Sequence, residues 1–125
     1  MQYGTLDKEN AMSYDVELVY GDEVVTVPSH LEGGILAIGG NPYAEMSVTY
    51  NYGMYYFKFL HTSGLCGLSG LTGRQSIPMF EFAISHLGTD RDDNYWASTP
   101  GNAGYALKIM LDWASLHPDA VWNIT

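Results

Sequence analysis

The order of two hydrophobic periodicities along the chain restricts the fold more than any other feature of the sequence. Apolar and polar side chains alternate at 13–20 and 45–52, which is typical of strands with one buried face. Apolar residues recur at helical spacing mainly in the second half of the chain. Because strands come first and helices later, the sequence predicts an α+β domain. In it, two or three helices pack on a small antiparallel sheet, rather than on a doubly wound parallel sheet.

The strand patterns are punctuated by turn residues. In 13–20 one face carries Tyr14, Val16, Leu18 and Tyr20. A turn at Gly21-Asp22-Glu23 and a short strand at 24–27, ended by Pro28, predict a β-hairpin. The apolar run at 33–40 predicts either a short buried strand or a packed loop. Residues 120–124 predict a final short strand, and 1–12 predict an irregular lead-in.

Three segments have helical patterns. Residues 54–60 predict a short helix, with continuation of the preceding strand as the alternative. A second helix is predicted from Ile77 to Leu87, with Ser76 as its N-cap, Pro78 in its first turn and Gly88 after its end. The last helix is predicted to begin with Thr99 as N-cap and Pro100 at the first position, and to end before His117-Pro118.

Length and composition are those of one domain spanning residues 1–125. The single cysteine excludes an intramolecular disulfide and a four-cysteine zinc site, which fits a reducing compartment. The first residues have neither the basic nor the apolar region of a signal peptide, and no apolar run is long enough for a membrane span. The sequence therefore predicts a cytoplasmic protein.

The charge balance restricts the partners. The formal net charge is −9, with only 5 Lys and Arg residues, which are scattered along the chain. Direct binding to a nucleic-acid backbone needs a basic patch, and none is predicted. The acidic balance favours either solubility alone or a basic protein partner.

A glycine-rich loop at 64–73 is the first candidate site. Glycine recurs at every third position, and the leucines between are predicted to point inward. Backbone N–H groups there, with a helix N-terminus and a guanidinium, would suit a small anionic or nucleotide-like ligand. Neither a Walker A motif nor a dinucleotide fingerprint is present, and a purely structural loop is the alternative. The predicted ligand-binding residues are Gly70, Gly73, Arg74 and Ser76, with Tyr95 and Trp96 stacking on a base.

An acidic loop at 89–98 is the second candidate. Asp90, Asp92 and Asn94 match the start of an EF-hand loop, but Tyr95 and Gly101 replace the required glycine and glutamate. The loop then connects two helices, forms a weak or irregular calcium site, or contacts a partner. In the last case the contact residues are Asp90, Asp92 and Asp93, whose carboxylates could mimic nucleic acid towards a host protein.

Catalytic, metal and cofactor motifs are not predicted. The four histidines are dispersed, so no metal site is expected. Cys66 lies among leucines and is predicted to be a buried small hydrophobe rather than a nucleophile. No GxSxG elbow is present.

The order of motifs in the second half resembles that of a known group. The strand TYNY, the loop LTGRQ, the helix ending in LG, the loop DDNYW, the helix beginning at GNA and the turn HPD follow one another between 47 and 122. This order resembles small proteins encoded by bacteriophages and prophages, a group without an established activity. The resemblance implies phage origin, an accessory role and no catalytic residue. It marks Asn51, Gly73, Asp92, Asp93, Tyr95, Trp96, Asn102 and Ala103.

Three functions follow as expectations. The first is an accessory protein that binds a host protein, such as an anti-defence inhibitor, through an exposed aromatic patch ringed by acids. The second is a binder of a small anionic ligand at the glycine-rich loop, with oligomerisation compatible with that function. The third is an enzyme of unknown type, for which no acid–base pair or nucleophile is apparent.

Overall fold

The computed structural model describes residues 13–30 and 41–125 and confirms the α+β prediction. The strands are β1 (Ser13–Tyr20), β2 (Glu23–Val24), β3 (Thr26–His30), β4 (Asn41–Tyr43), β5 (Glu45–Thr49) and β6 (Val121–Ile124). The α-helices are α1 (Gly53–Phe59), α2 (Gly73–Leu87) and α3 (Pro100–Leu116). Short 3-10 helices form at Tyr50–Tyr52 and Gly64–Leu68.

The main sheet is centred on β1, which pairs antiparallel with β2, β5 and β6. Val16 has Met46 of β5 and Ile124 of β6 as its cross-strand partners, so β5 and β6 flank β1 on opposite sides. All three of these side chains are buried, and they form part of the hydrophobic core. The period of two predicted for the strands thus gives the sheet one buried face.

Two strand predictions need correction. The run at 24–27 divides, because β2 ends at Val24 and β3 pairs with β4 in a second, two-stranded sheet. Pro28 lies inside β3 instead of ending it, where the register is irregular and a missing N–H interrupts no regular ladder. The strand predicted at 45–52 ends at Thr49, whose Oγ1 accepts a hydrogen bond from the N–H of Asn51 and starts a 3-10 helix. The predictions for 1–12 and for 33–40 lie outside the described residues.

The predicted start of the second helix is wrong. Helix α2 begins at Gly73 rather than Ile77, because Thr72 and Gln75 form a capping box. Thr72 Oγ1 accepts from the N–H of Gln75 at 3.1 Å, and Gln75 Oε1 accepts from the N–H of Thr72 at 2.9 Å. Pro78 consequently lies inside the helix.

The last helix, the final strand and the short helix after Gly53 follow the predictions closely. Thr99 caps α3 by accepting from the N–H of Asn102, and Pro100 occupies the first turn. Gly88 ends α2 with a φ of 74°, a conformation that glycine adopts without strain.

Helices α2 and α3 pack closely at the start of α3. A Cβ added at Gly104 would overlap the carbonyl oxygen of Gly88, and one added at Gly101 would overlap that of Asp90. The absence of side chains therefore lets the chain at 88–90 lie directly against α3, which places the following loop at the N-terminal end of this helix.

The glycine-rich segment covers the outer edge of β6. The N–H of Trp122 donates to the carbonyl of Leu71, and the N–H of Gly70 donates to the carbonyl of Trp122, both at 2.9 Å. Ser69 Oγ accepts from the N–H of Ile124 at 2.7 Å. An exposed strand edge invites pairing with other chains, and this segment removes that edge.

Among the described residues, no helix has the length and apolar character that crossing a membrane requires.

Candidate functional site

The acidic loop between α2 and α3 is fastened to the start of α1 by side-chain hydrogen bonds. Asn51 Nδ2 donates a hydrogen bond to the carbonyl of Trp96 at 2.8 Å. Ser98 Oγ donates to the carbonyl of Asn51, also at 2.8 Å. The Tyr55 hydroxyl donates to the carbonyl of Ser98 at 3.0 Å, and the Tyr52 hydroxyl donates to the carbonyl of Tyr95. These bonds satisfy loop carbonyls without any regular secondary structure.

Asn102 organises the same loop from inside. Its side chain is fully buried in the first turn of α3. Oδ1 accepts from the N–H of Asp92 at 2.8 Å, while Nδ2 donates to the carbonyls of Asn94 at 3.2 Å and Ala97 at 3.0 Å. One amide thus joins three points of the loop, which restricts its backbone to a single conformation.

Two side chains within the loop continue this arrangement. Asp92 Oδ1 accepts from the N–H of Asn94 at 2.8 Å, and Asn94 Oδ1 accepts from the N–H of Trp96 at 3.1 Å. Both are the local Asx turns that aspartate and asparagine favour. Asp92 and Asn94 therefore stabilise local turns of the loop, which is the role expected of polar residues in a loop that connects two helices.

The fastened loop presents aromatic rings at the surface. Trp96 is 45% exposed, and Tyr50, which precedes the Asn51 contact, is 42% exposed. The Trp96 ring lies against that of Tyr95, with centroids 4.6 Å apart, and the Tyr50 ring meets that of Tyr14 edge-on, also at 4.6 Å. Since the backbone beside these rings is hydrogen-bonded, the positions in the chain that carry the rings are held in place.

The three aspartates of the loop are all exposed but differ in role. Asp92 caps the turn described above, whereas the Asp90 and Asp93 side chains make no hydrogen bond or ion pair with the part of the chain that the structure describes. The neighbouring cation, Arg91, lies over the Tyr105 ring at 4.6 Å. Two exposed carboxylates therefore remain available on the loop that carries Trp96.

The tyrosines beneath the loop are hydrogen-bond donors in their neutral form. Burial, assisted by the nearby Tyr95, raises the pKa of Tyr52, and burial raises the pKa of Tyr56 well above its usual value. The Tyr56 hydroxyl donates to the carbonyl of Ala103 at 2.9 Å. Because these pKa values are raised, both phenols keep their protons, and the fastening is independent of pH in the neutral range.

The glycine-rich loop has no free N–H group at the start of α2. The N–H of Gly73 donates to the carbonyl of Ala120 at 2.8 Å, and that of Arg74 to the carbonyl of Pro118 at 2.9 Å. The N–H groups of the next two residues are taken by Thr72 Oγ1 and by the Thr72 carbonyl. An anion at this helix start would find its backbone donors already occupied.

The side chains predicted for that ligand site are also engaged. Arg74 pairs with Asp119 at 2.8 Å. Ser76 is fully buried, where its Oγ accepts from the indole N–H of Trp122 at 2.8 Å and donates to the carbonyl of Gly73 at 2.7 Å. The structure therefore gives Ser76 an internal role in the packing of α2 on β6.

Tyr95 and Trp96 do not lie near the glycine-rich loop. Gly73 lies against the C-terminal end of α3, where an added Cβ would be 3.1 Å from the Ala114 carbonyl. The loop that carries Tyr95 and Trp96 is held at the other end of α3 by Asn102. At 1.5 Å per residue, these two points are about 18 Å apart along the helix.

The prediction that Cys66 is buried is wrong, since its side chain is exposed. The 3-10 helix at Gly64–Leu68 brings Leu65 and Leu68, three residues apart, onto one buried face and turns Cys66 outward. The expectation that the leucines of this loop point inward is met by these two residues.

The histidines of the second half have separate partners. His86 lies between Phe59, at 5.0 Å, and Phe82, at 4.6 Å, and His117 Nε2 lies 2.7 Å from the carbonyl oxygen of Thr26. Within residues 13–30 and 41–125, no three His, Cys, Asp or Glu side chains are arranged to hold a metal ion.

Five of the eight residues marked by the sequence resemblance take part in the hydrogen bonds of the fastened loop, whereas Gly73 lies at the other end of α3. The five are Asn51, Asp92, Tyr95, Trp96 and Asn102, which come from three different elements. Reasoning from residue chemistry alone missed Asn51 and Asn102. A polar amide among the small apolar residues at the start of α3 was the available signal for Asn102.

Comparisons of the chain with protein-family models, with curated proteins and with solved structures find no match.

Proposed function

We propose that this chain is a small phage-type accessory protein that acts by binding a host protein. Its contact surface is the Trp96 surface, which we define as Tyr50, Asp90, Asp93, Tyr95 and Trp96. The observation that carries the proposal is the exposure of Trp96 and Tyr50 on a loop whose backbone is fastened on both sides.

Trp and Tyr suit this role for energetic reasons. They are enriched among the few interface residues that contribute most of the binding free energy. A loop that is already ordered loses little conformational entropy on binding, so more of the contact energy appears as affinity. The hydrogen bonds of Asn51 and Asn102 provide that order here.

The charge of the surface indicates the type of partner. Asp90 and Asp93 are exposed on the loop that carries Trp96, and the chain as a whole carries −9. A basic surface on the host protein would be attracted at long range, which raises the association rate and makes it depend on salt. Inhibition of a host defence or regulatory factor is a role that such a surface can fulfil, because it requires binding and no catalytic group.

The alternative of an anionic ligand at the glycine-rich loop receives no support from the geometry. Its backbone donors are bonded within the chain, and its predicted aromatic residues lie at the far end of α3.

A capture experiment with matched variants tests the proposal. Wild-type protein and two variants, Trp96→Ser and Phe82→Ser, are immobilised and exposed to the same bacterial lysate. Phe82 is a suitable control because it is also exposed, on α2. We expect a host protein that is retained by the wild type and by Phe82→Ser but lost with Trp96→Ser.

The purified partner then allows the charge contribution to be measured. Asp93→Ala should weaken binding by about two- to fivefold at low salt and less at high salt, as expected for an exposed ion pair. Capture of the same proteins by wild type and Trp96→Ser, or the absence of any selectively retained protein, would overturn the proposal.

A further inference from the structure

A groove of about 510 Å³ lies between the β1–β2 hairpin and the turn that follows α3. It is separate from the Trp96 surface, because it is at the C-terminal end of α3 whereas Asn102 holds the loop at the N-terminal end. Its volume falls within the range of roughly 300–1,000 Å³ that small-molecule sites occupy.

Apolar side chains line two sides of the groove. Tyr20 of the hairpin is 67% exposed and Leu116 of α3 is 55% exposed, and both line the groove. Val24 and Val25 continue the hairpin side, and both are partly buried and packed against the core. A ligand with an apolar body would remove the Tyr20 ring and the Leu116 side chain from water.

A hydrogen bond between a histidine and a backbone carbonyl connects the two sides of the groove. His117 Nε2 lies 2.7 Å from the carbonyl oxygen of Thr26, and both residues line the groove. Since a carbonyl oxygen only accepts, Nε2 carries the proton, and in the neutral ring Nδ1 is left as an acceptor. The bond joins the two sides of the groove, so its width is fixed by a side chain rather than by a mobile loop.

The charges of the groove select against anions. Glu23 and Asp119 line it, and none of the lysines and arginines among the described residues does. Asp119 is paired with Arg74, but Glu23 makes no ion pair or hydrogen bond with a residue in the described ranges. An anionic amphiphile would also be repelled by the net charge of −9.

We infer that this groove binds a small organic cation with an aromatic or branched aliphatic body. The apolar body lies between Tyr20 and Leu116, and the ammonium group lies towards Glu23. This site is independent of the proposed binding of a host protein, which involves the opposite end of α3.

Three probes of one shape and different charge test the inference. Phenethylamine, phenethyl alcohol and hydrocinnamate are titrated separately into the full chain, and the backbone amide signals are followed by NMR. We expect saturable shifts at 20–26 and 116–120 with the amine. Its affinity should exceed that of the alcohol by about two- to fivefold, the range of an exposed ion pair, and the carboxylate should bind most weakly.

Two variants and a control assign the contacts. Glu23→Gln should bring the affinity for the amine down to that for the alcohol, while Leu116→Ser should weaken both by about fivefold. Both side chains are exposed, so the spectrum of the free variants should show a folded chain. Phe82→Ser, on α2, should change neither the affinity for the amine nor the affinity for the alcohol.

Three results would overturn the inference: shifts spread evenly over the chain, equal binding of the amine and the carboxylate, or an unchanged preference for the amine in Glu23→Gln.

Discussion

Asn102 Oδ1 accepts a hydrogen bond at 2.8 Å from the backbone N–H of Asp92, which lies in the preceding loop. The same buried amide donates to two further loop carbonyls. Replacing it should therefore leave the N–H of Asp92 without its partner. The carbonyls of Asn94 and Ala97 would each lose one of two hydrogen bonds, because they also accept from the N–H groups of Ala97 and Thr99.

We expect Asn102→Ala to lower the free energy of unfolding by about 1–3 kcal/mol, the cost of leaving one part-buried donor without a partner. Chemical denaturation measures this difference. Asn123→Ala is the matched control, because Asn123 is exposed and its amide bonds only the Glu17 carboxylate. Its effect should be below about 0.5 kcal/mol. Equal effects of the two variants would contradict the role given to Asn102.

The contact between Gly104 and Gly88 gives a second prediction. A methyl group at Gly104 would overlap the Gly88 carbonyl, which is backbone and cannot rotate away. Gly104→Ala should therefore destabilise the chain by about 2–3 kcal/mol, despite the better helix propensity of alanine.

Gly53→Ala is the control for that variant. Its added Cβ would lie 3.2 Å from the Tyr14 hydroxyl, the far end of a flexible side chain. The change in stability should stay within about 1 kcal/mol of zero. A Gly104→Ala protein as stable as the wild type in thermal unfolding would show that α2 and α3 do not need this close approach.

Alkaline pH should lower the free energy of unfolding, because the buried tyrosines lose their protons more readily once the chain is unfolded. Burial raises the pKa of Tyr52 and of Tyr56 above the ordinary value of 10.0. Below that pH both phenols are protonated in the folded and unfolded chains, so their contribution to stability is complete. Above it the unfolded chain binds fewer protons than the folded chain, and stability falls by up to about 1.4 kcal/mol per pH unit for each tyrosine.

Unfolding at a series of pH values above 10.0 measures this slope. Tyr52→Phe should reduce the slope, whatever it does to stability at neutral pH, because one of the groups with a raised pKa is removed. Phe57→Leu should leave the slope unchanged, since Phe57 is exposed and carries no titratable group. A slope that is the same in all three proteins would contradict this account.

The exposed position of Cys66 predicts its reactivity. A maleimide reagent should label the folded protein at a rate within about tenfold of that of the denatured protein, since the exposed thiol is accessible to the reagent. Mass spectrometry counts the label, with Cys66→Ser as the unlabelled control. Labelling that requires denaturant would show that the thiol is covered in solution.

Local chemistry was sufficient to predict several elements. The alternation at 13–20, the Thr99–Pro100 helix start and the glycine after Leu87 all correspond to observed features. At Thr99 and at Gly88, the hydrogen bonds and backbone angles depend on residues within a few positions. At 13–20, the alternation depends only on which side chains share a face of the strand. The early start of α2 was also encoded locally, by Thr72 and Gln75, but the glycines around them concealed it.

The candidate site could not be predicted in the same way. The bonds that hold it join Asn51 to Trp96 and Ser98 to Asn51, residues that are far apart in the chain. Nothing near Asn51 in the sequence indicates which carbonyl its amide will meet. For the same reason the glycine-rich loop suggested an anion site, although its N–H groups are taken by carbonyls at 118–122.

The α+β class, the faces of the strands and the caps of the last helix are predictable from sequence alone, because they depend on periodicity and on contacts within a few residues. The outward position of Cys66, the burial of Ser76 beneath Trp122 and the exposure of Trp96 on a hydrogen-bonded loop become evident only in the folded structure. These outcomes depend on which distant backbone groups come together when the helices pack on the sheet, and hydrogen bonds to such groups leave no short-range pattern in the chain.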